Sequence, residues 1–427
     1  MADLIKAAKD VFIYAFPLIV TEATHRDSND KGFEHFRTFP TDSEKRVVKL
    51  NNDTLYSFAW TQLANTPYLV HIPKITERYY LFPILDAYTN VVESIGTRTP
   101  EYAEGDYILL YQDTTIPEGY ENYIPIRLKD SLNTILLRIE TRGKADYEFV
   151  NKLQDSITIK PLYPEKVEPV DSSNGISPVK YSETVTAEEF FTLFAKLAKV
   201  NPIRDEGIIK AFESLGYDKT TGEFSYISLT EEQKAALERG RELAFNEIKA
   251  SKRSDKNIVR NNGWLSIIGG VGTYGNDYIQ RASTAYSGWG ANIVQDSAYA
   301  VAFTDSDWNV LLNENTYKLH IEKDGYPHAA VFWSITLYGE PSKYPVSNKI
   351  DRFAINTYDV ESGTVEKNED GSLDIYISKN EPTDEHKRKN WLPAPTEEKN
   401  YSVSIRIYYP DELTIEGKWT PPTITKI

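Results

Sequence analysis

Residues 51–63 read Asn-Asn-Asp-Thr-Leu-Tyr-Ser-Phe-Ala-Trp-Thr-Gln-Leu, and this stretch decides the fold class. Its second part, from Leu55 to Leu63, is rich in aromatic residues, which favour β-strands because they pack well on a pleated surface. Similar segments follow at short intervals, with Pro, Gly or Asp between them, at residues 68–72, 78–85, 107–111, 123–128 and 134–140. Closely spaced strands of this kind are typical of an antiparallel sandwich or barrel.

Helices are predicted on both sides of this strand region. Residues 3–20 have the spacing of an amphipathic helix that stops near Pro17. Residues 160–182 contain four prolines and read as a connector. Beyond it, Thr186 and Glu189 form a predicted capping box at the start of a helix. Two more helices are expected. One lies near 206–215, and the other runs from Thr230 to about residue 252 and has a capped, acidic first turn.

Strand-like alternation returns from residue 263, in segments 299–304, 316–321, 329–337, 352–357, 373–378 and 401–408. Asp324-Gly325 and Asp370-Gly371 lie between such segments and predict hairpin turns. The fold class is therefore a multi-domain, mainly β protein, with antiparallel sandwich or jelly-roll-like modules and an inserted all-helical subdomain. The predicted units are an N-terminal β module with its leading helix (1–165), a helical insert (183–258) and a C-terminal β-sandwich module (259–427).

Composition excludes several classes of function. A formal net charge of -15 makes nucleic acid an unexpected partner, because phosphate binding needs clustered Lys and Arg. The chain has no Cys, which excludes disulfides, thiolate metal sites and cysteine nucleophiles. The apolar run Val11 to Val20 is about half of a membrane span and is interrupted by Pro17, so no membrane partner is expected.

The start of the chain lacks the features of a signal peptide. As written, the sequence therefore predicts a cytoplasmic protein, or an extracellular or periplasmic one if the given start is a processed terminus. No oligomeric state follows from these features.

Several motifs are set aside. Residues 270–275 fit the dinucleotide fingerprint GxGxxG, but the surrounding chain predicts antiparallel strands rather than strand-helix-strand units. Residues 305–309 begin like a calcium loop, yet Val310 stands where the sharp turn needs Gly. An EF-hand is thus excluded, an irregular calcium site stays open, and no other cofactor is predicted. The histidines show no paired metal spacing, and no GxSxG nucleophile elbow occurs.

A first polar cluster precedes the opening strand. Asn52, Asp53, Thr54 and Tyr56 supply amide, carboxylate and hydroxyl groups that suit a hydroxylated ligand or a hard cation. The alternative is an Asx-type turn at the start of the strand.

A second polar cluster follows within one hairpin's distance and comprises Tyr79, Asp86, Thr89, Asn90 and Arg98. Asp86 could serve as a general base, and Arg98 could pair with an anionic substrate group. An internal ion pair between Asp and Arg on neighbouring strands would explain the same residues without function.

Short motifs of both halves resemble one family. In the N-terminal half they are Asn52-Asp53-Thr54-Leu55-Tyr56-Ser57, Asp86-Ala87-Tyr88-Thr89-Asn90-Val91 and Gly96-Thr97-Arg98-Thr99. In the C-terminal half they are Asp277-Tyr278, Arg281-Ala282, Gly290-Ala291-Asn292, Phe332-Trp333-Ser334, Asn390-Trp391-Leu392-Pro393-Ala394 and Gly417-Lys418-Trp419. Together they resemble the proteins that pair the domain of unknown function 1254 with the domain of unknown function 1214. The resemblance implies β parts that include a jelly-roll sandwich, with an inserted helical subdomain, and it implies no particular reaction.

The leading hypothesis for function is a protein that binds or acts on a hydroxylated small molecule or carbohydrate in a polar, aromatic pocket between the β modules. Asp53 and Asp86 are the candidate catalytic residues, and convergence of Asp53, Asp86 and Arg98 on one pocket is expected. The candidate substrate-binding residues are Asn52, Thr54, Tyr56, Tyr79, Thr89, Asn90, Arg98, Tyr278, Arg281 and Trp333. A non-catalytic structural or interaction protein is the alternative, and a metal-assisted hydrolase or lyase built on Asp53 and Asp86 is a further one.

Overall fold

A computed structural model describes residues 1–26, 32–39, 51–163, 178–251 and 255–427 of the chain. Its strands form two β-sandwich modules, and its longer helices form a layer that contacts both. The mainly β, multi-domain fold class is thereby confirmed, whereas the jelly-roll connection stays a prediction. The predicted limits 1–165, 183–258 and 259–427 also stay predictions, and residues 164, 165 and 252–254 lie outside the described ranges.

The N-terminal module consists of a five-stranded and a four-stranded sheet. Its strands are β1 (Glu34–His35), β2 (Thr54–Gln62), β3 (Tyr68–Ile72), β4 (Tyr80–Leu85), β5 (Val91–Gly96), β6 (Gly105–Tyr111), β7 (Ile124–Leu128), β8 (Leu132–Glu140) and β9 (Thr158–Pro161). The strand orders are β1-β2-β8-β4-β5 and β7-β6-β3-β9. Alternate residues such as Leu55, Ala59, Ile135 and Leu137 point into the core between the sheets, as the two-residue period of a strand requires.

The helices include every one that the sequence predicts. They are α1 (Ala2–Arg26), α2 (Tyr147–Ser156), α3 (Pro178–Thr184), α4 (Ala187–Ala198), α5 (Glu206–Ser214), α6 (Glu231–Ala250), α7 (Tyr278–Gly288), α8 (Thr357–Glu361), α9 (Glu385–Lys389) and α10 (Glu412–Ile415). The capping box of Thr186 and Glu189 is confirmed, and Thr230 forms another with Gln233 at the start of α6. The short strands β10 (Tyr217–Asp218) and β11 (Glu223–Phe224) pair between α5 and α6.

The prediction that the leading helix stops near Pro17 is wrong. Helix α1 continues to Arg26 with Pro17 inside it. Proline removes one helical hydrogen bond, but packing around α1 compensates, because nearly every residue from Ala8 to Val20 is buried. The ring of Phe12 stacks on that of Phe190 of α4 at 4.0 Å between centroids, and His25 near the end of α1 contacts the ring of Trp60 of β2 at 5.2 Å. Helix α1 therefore packs against both the helical layer and the N-terminal module.

The C-terminal module is also a sandwich of two sheets. Its strands are β12 (Ile258–Asn261), β13 (Trp264–Ile267), β14 (Ser297–Ala302), β15 (Tyr317–Ile321), β16 (Ala329–Glu340), β17 (Ala354–Asn356), β18 (Leu373–Ser378), β19 (Trp391–Pro393), β20 (Asn400–Pro410) and β21 (Thr423–Lys426). The sheets have the orders β12-β13-β14-β20-β16-β17 and β19-β18-β15-β21. Most pairs in both modules are antiparallel, with parallel pairs β6·β7 and β18·β19.

The two predicted hairpins of this module are wrong. Asp324-Gly325 follows β15 and precedes β16, which belong to different sheets. Asp370-Gly371 precedes β18, whose partner is β15, whereas the strand before it, β17, pairs with β16. A turn dipeptide marks a change of chain direction, and in a sandwich that change also occurs where the chain crosses between sheets.

The glycine-rich motif at 270–275 forms a loop between β13 and α7. Because β13 and β14 pair antiparallel, the parallel strand-helix-strand context of a dinucleotide site is missing. Gly272 has φ +72°, and a Cβ there would come within 2.9 Å of the backbone nitrogen of Ile293. Its carbonyl accepts a 2.6 Å hydrogen bond from the backbone N–H of Val91, so the loop connects the two modules.

Candidate functional site

Asp53 and Asp86 lie at opposite ends of strand β8. Thr54 pairs with Glu140 at one end, and Leu85 pairs with Thr134 at the other. The six residue steps from Thr134 to Glu140 span about 20 Å, beyond the reach of two side chains. The expected convergence of Asp53, Asp86 and Arg98 on one pocket is therefore wrong.

Asp53 joins the two modules. Its carboxylate accepts hydrogen bonds from the Ser334 hydroxyl at 2.5 Å and the Tyr408 hydroxyl at 3.0 Å. Burial raises the pKa of Asp53 above its usual value, and the nearby Arg406 opposes this shift. Asp53 thus binds side chains of β16 and β20 from the other sandwich.

The segment before Asp53 forms an Asx-type turn at the start of β2, which was the alternative to a ligand-binding role for this cluster. The side-chain oxygen of Asn51 accepts from the backbone N–H groups of Asp53 and Thr54, both at 2.9 Å, and from the Thr54 hydroxyl at 3.2 Å. Asn52 is half-buried beside this turn. The Asn51 amide also donates to the Tyr56 hydroxyl at 2.6 Å.

Arg98 and Tyr79 also contact the C-terminal module. Arg98 forms a 2.5 Å ion pair with the buried Asp296, which also accepts from the Ser94 hydroxyl at 2.5 Å. The Tyr79 hydroxyl donates to the Asp296 carbonyl at 3.3 Å. Trp333 points away from this interface and packs in the core of the C-terminal sandwich.

Four other predicted residues do come together. Asp86, Asn90, Tyr278 and Arg281 line a cavity of about 610 Å³, which we call the polar cavity. It lies where the turn after β4, helix α1, the connection between α4 and α5, and the start of α7 meet. Thr89 is buried in that same turn, between Asp86 and Asn90.

Arg204 links two carboxylates at the polar cavity. Its guanidinium contacts Asp86 at 2.9 Å and Asp130 at 2.7 Å. Burial, and then the neighbouring Asp86 carboxylate, raise the pKa of Asp130 to about 7 despite Arg204. Asp86 also accepts from the backbone N–H groups of Tyr88 at 3.0 Å and Asn90 at 2.8 Å. Asp86 therefore forms an internal ion pair, but with Arg204 from the connection between α4 and α5 and not with an arginine of a neighbouring strand.

Arg281 lies among three tyrosine rings. Its guanidinium carbon is 4.8 Å from the ring centre of Tyr14, 5.2 Å from Tyr88 and 4.9 Å from Tyr278. One terminal nitrogen donates to the Tyr14 carbonyl at 3.0 Å, while its buried Nε has no hydrogen-bond partner among the described residues. The buried Oδ1 of Asn133, another residue that lines the polar cavity, likewise has none among them.

A second cavity, of about 370 Å³, lies between the facing sheets of the two sandwiches, and we call it the inter-module cavity. Tyr56 is the predicted site residue that lines it. Burial raises the pKa of the Tyr56 hydroxyl, and the nearby Arg138 opposes this shift.

The remaining predictions concern metals and membranes. The Asp305 carboxylate accepts from the backbone N–H groups of Asp307 and Asn309, at 3.0 and 2.9 Å, and so closes its own loop. Within the described ranges, no group of three or more His, Cys, Asp or Glu side chains is placed to hold a metal ion. No helix in those ranges has both the length and the apolar character that crossing a membrane requires.

The chain is a two-sandwich β protein. Buried polar contacts join its two β-sandwiches, and a helical layer packs against them. Residues 31–161 match the family model of DUF1254 and residues 296–412 that of DUF1214, both described as proteins of unknown function. The chain belongs to the family that pairs these two domains, as the resemblance implied.

One solved structure supports the fold. The VPA0106 protein from Vibrio parahaemolyticus is similar with a TM-score of 0.73 and 19% identity, over 99% of this chain and 100% of that one. An uncharacterized protein from Burkholderia cenocepacia has a TM-score of 0.45 and 11% identity, over 100% of this chain and 94% of that one. No curated protein matches the chain.

Proposed function

We propose that the polar cavity binds a hydroxylated small molecule, such as a sugar or a polyol. The observation that carries this proposal is the presence of two buried groups without partners among the described residues, the donor Nε of Arg281 and the acceptor Oδ1 of Asn133. A hydroxyl group both donates and accepts, so a molecule with several hydroxyls can satisfy groups of both kinds.

The charges and the size of the cavity agree with this ligand class. Arg204 is matched by the carboxylates of Asp86 and Asp130, and Glu93, Arg127, Lys129 and Arg281 also line the cavity, so its wall carries charges of both signs. A volume of about 610 Å³ lies within the usual range of small-molecule sites. Asp86 lines the cavity, and its carboxylate is occupied by N–H groups of Tyr88 and Asn90 and by Arg204, so in this proposal it holds the cavity wall in place.

The alternative of an interaction protein would be supported by a largely exposed apolar stripe on the helix near 188–200. Helix α4 instead buries Phe190, Phe191 and Phe194 in the helical layer. The geometry therefore favours the ligand site.

A cavity-blocking variant tests the proposal. Val92 lines the cavity and is exposed, and its apolar side chain takes no part in the hydrogen bonds of the wall. Val92→Trp should therefore obstruct the cavity without disturbing its polar network. Binding of a panel of monosaccharides and polyols, measured by ligand-observed NMR and calorimetry, should weaken at least about tenfold in this variant. The matched control is Ile124→Trp, an exposed residue of β7 outside the cavity lining, and it should bind normally. Absence of binding to the whole panel, or equal binding by both variants, would contradict the proposal.

A further inference from the structure

The inter-module cavity is built from matching positions of two facing sheets. In the N-terminal module, Tyr56 of β2 lies directly across from Arg138 of β8. In the C-terminal module, Tyr299 of β14 lies directly across from Arg406 of β20. All four residues line the cavity, so each sheet presents an arginine and a tyrosine to it.

Three cationic side chains line the cavity. Arg138, Arg406 and Lys343 line it, and among the described residues no Asp or Glu does so. Arg138 is only 6% exposed and Arg406 only 5%, so water compensates little of their charge. The carboxylate of Asp53 lies near Arg406, whereas Arg138 contacts a backbone carbonyl and a tyrosine ring and, among the described residues, no carboxylate. A buried charge is costly unless a counter-charge and hydrogen bonds accompany it.

Arg138 shows the imbalance most directly. One terminal nitrogen donates to the Gly290 carbonyl at 2.9 Å, and the guanidinium carbon is 5.3 Å from the centre of the Tyr56 ring. Its Nε and other terminal nitrogen are buried and have no hydrogen-bond partner among the described residues. Three N–H groups, one on Nε and two on Nη1, therefore lack an acceptor.

The rest of the wall is largely apolar. Phe58 and Leu136 continue the N-terminal face, while Leu265, Ile267 and Val301 continue the C-terminal face. Phe58 pairs across the strands with Leu136, and Leu265 with Val301, so each face presents a continuous apolar surface beside its arginine. Such a wall suits the hydrocarbon part of a ligand.

We propose that the inter-module cavity binds a small organic carboxylate, with its head group on Arg138 and its aliphatic or aromatic body against these walls. A carboxylate supplies the acceptors that the Arg138 N–H groups lack, and its negative charge offsets the neighbouring cations. Arg406 is held in place by its 2.7 Å hydrogen bond to the Tyr338 hydroxyl and adds a second positive charge. This site is separate from the polar cavity and does not rest on the function proposed for it.

Calorimetry on the full chain tests the charge requirement without any variant. The probes are octanoate and 3-phenylpropanoate, each compared with its uncharged primary amide. At least one carboxylate should bind at least about tenfold more tightly than its amide, because only the carboxylate forms charge-assisted hydrogen bonds. Equal binding of acid and amide, or no binding of either acid, would overturn the proposal.

Variants locate the site. Arg138→Gln should weaken carboxylate binding at least about tenfold and bring the acid and amide affinities together. Arg239→Gln removes a charge from an exposed ion pair on α6 and should leave binding unchanged. Leu265→Trp fills the cavity from a half-buried wall position and should abolish binding even if Arg138→Gln fails to fold. Normal binding by Leu265→Trp would overturn the assignment.

Two further measurements test the contribution of the apolar walls and the independence of this site from the polar cavity. Inorganic phosphate should compete poorly, since it has no apolar body, and competition as strong as that of the carboxylate would contradict the role of the walls. Val92→Trp at the polar cavity should not alter carboxylate binding, so failure here and failure of the proposed function are distinguishable.

Discussion

Two arginines, Arg204 at the polar cavity and Arg138 at the inter-module cavity, have opposite surroundings. Arg204 contacts two carboxylates, Asp86 and Asp130. Arg138 contacts a backbone carbonyl and a tyrosine ring, and among the described residues it contacts no carboxylate. A matched charge holds parts of the chain together, whereas an unmatched one is an expense that ligand binding can offset. Stability measurements should therefore distinguish the two arginines by the sign of the effect.

The largest effect is expected at the matched arginine. Arg204→Met leaves the carboxylates of Asp86 and Asp130 adjacent and buried without their cation. The free energy of unfolding at pH 7.5, from urea titration of the transition that includes the helical layer, should fall by about 3–5 kcal/mol.

Lower pH should reduce this loss, because protonation of Asp130 removes one of the two like charges. Arg239→Met, on an exposed ion pair of α6, is the control and should change stability by less than about 1 kcal/mol. A loss as small as that of the control would show that Arg204 is not matched in the way its contacts indicate.

A smaller, pH-dependent effect is expected at Asp130. Its pKa of about 7 in the folded chain exceeds the value of about 3.9 for an unfolded Asp, so between these values the folded state binds more protons. The stability that protonated Asp130 contributes is complete below pH 4 and is lost as pH rises through about 7. Relative to Asp130→Asn, the wild-type chain should lose about 2 kcal/mol of unfolding free energy between pH 5 and pH 7.

Urea midpoints across this pH range measure the difference. Asp113→Asn, at an exposed position, is the control, and its difference from wild type should stay constant with pH. A constant difference for Asp130→Asn as well would mean that Arg204 keeps both carboxylates ionised.

The sequence predicted most of the fold because local patterns determine it. Strands β3 and β18 have their predicted bounds, 68–72 and 373–378. Strand β5 was missed because Glu93 and Gly96 interrupt its apolar pattern, and α2 was missed because its face is only partly apolar. Which strands share a sheet depends on contacts between distant segments, and this is where the two hairpin predictions failed.

The same distinction applies to the sites. Arg204 lies 118 residues from Asp86 and 74 from Asp130, so no local pattern connects them. Arg138 did leave a signal, because it stands between Ile135-Leu136-Leu137 and Ile139 in a strand that reads as buried. Arg406, between Ile405 and Ile407, has the same signature. An isolated arginine in an apolar strand needs a partner from elsewhere, and the sequence alone does not say which.

The smallest effect, and the one with the opposite sign, is expected at Arg138 itself. Arg138→Met replaces a buried, partly unsatisfied guanidinium with an apolar side chain of similar length, so the ligand-free chain should gain about 1 kcal/mol of unfolding free energy. Arg142→Met is the control, four residues further along the chain and beyond the end of β8, because Arg142 forms a 2.6 Å ion pair with the buried Glu140. The control should lose stability, since it leaves that carboxylate without its cation. If Arg138→Met instead loses stability as Arg204→Met does, then Arg138 is a structural residue, and the cavity beside it does not hold an unmet charge for a ligand to neutralise.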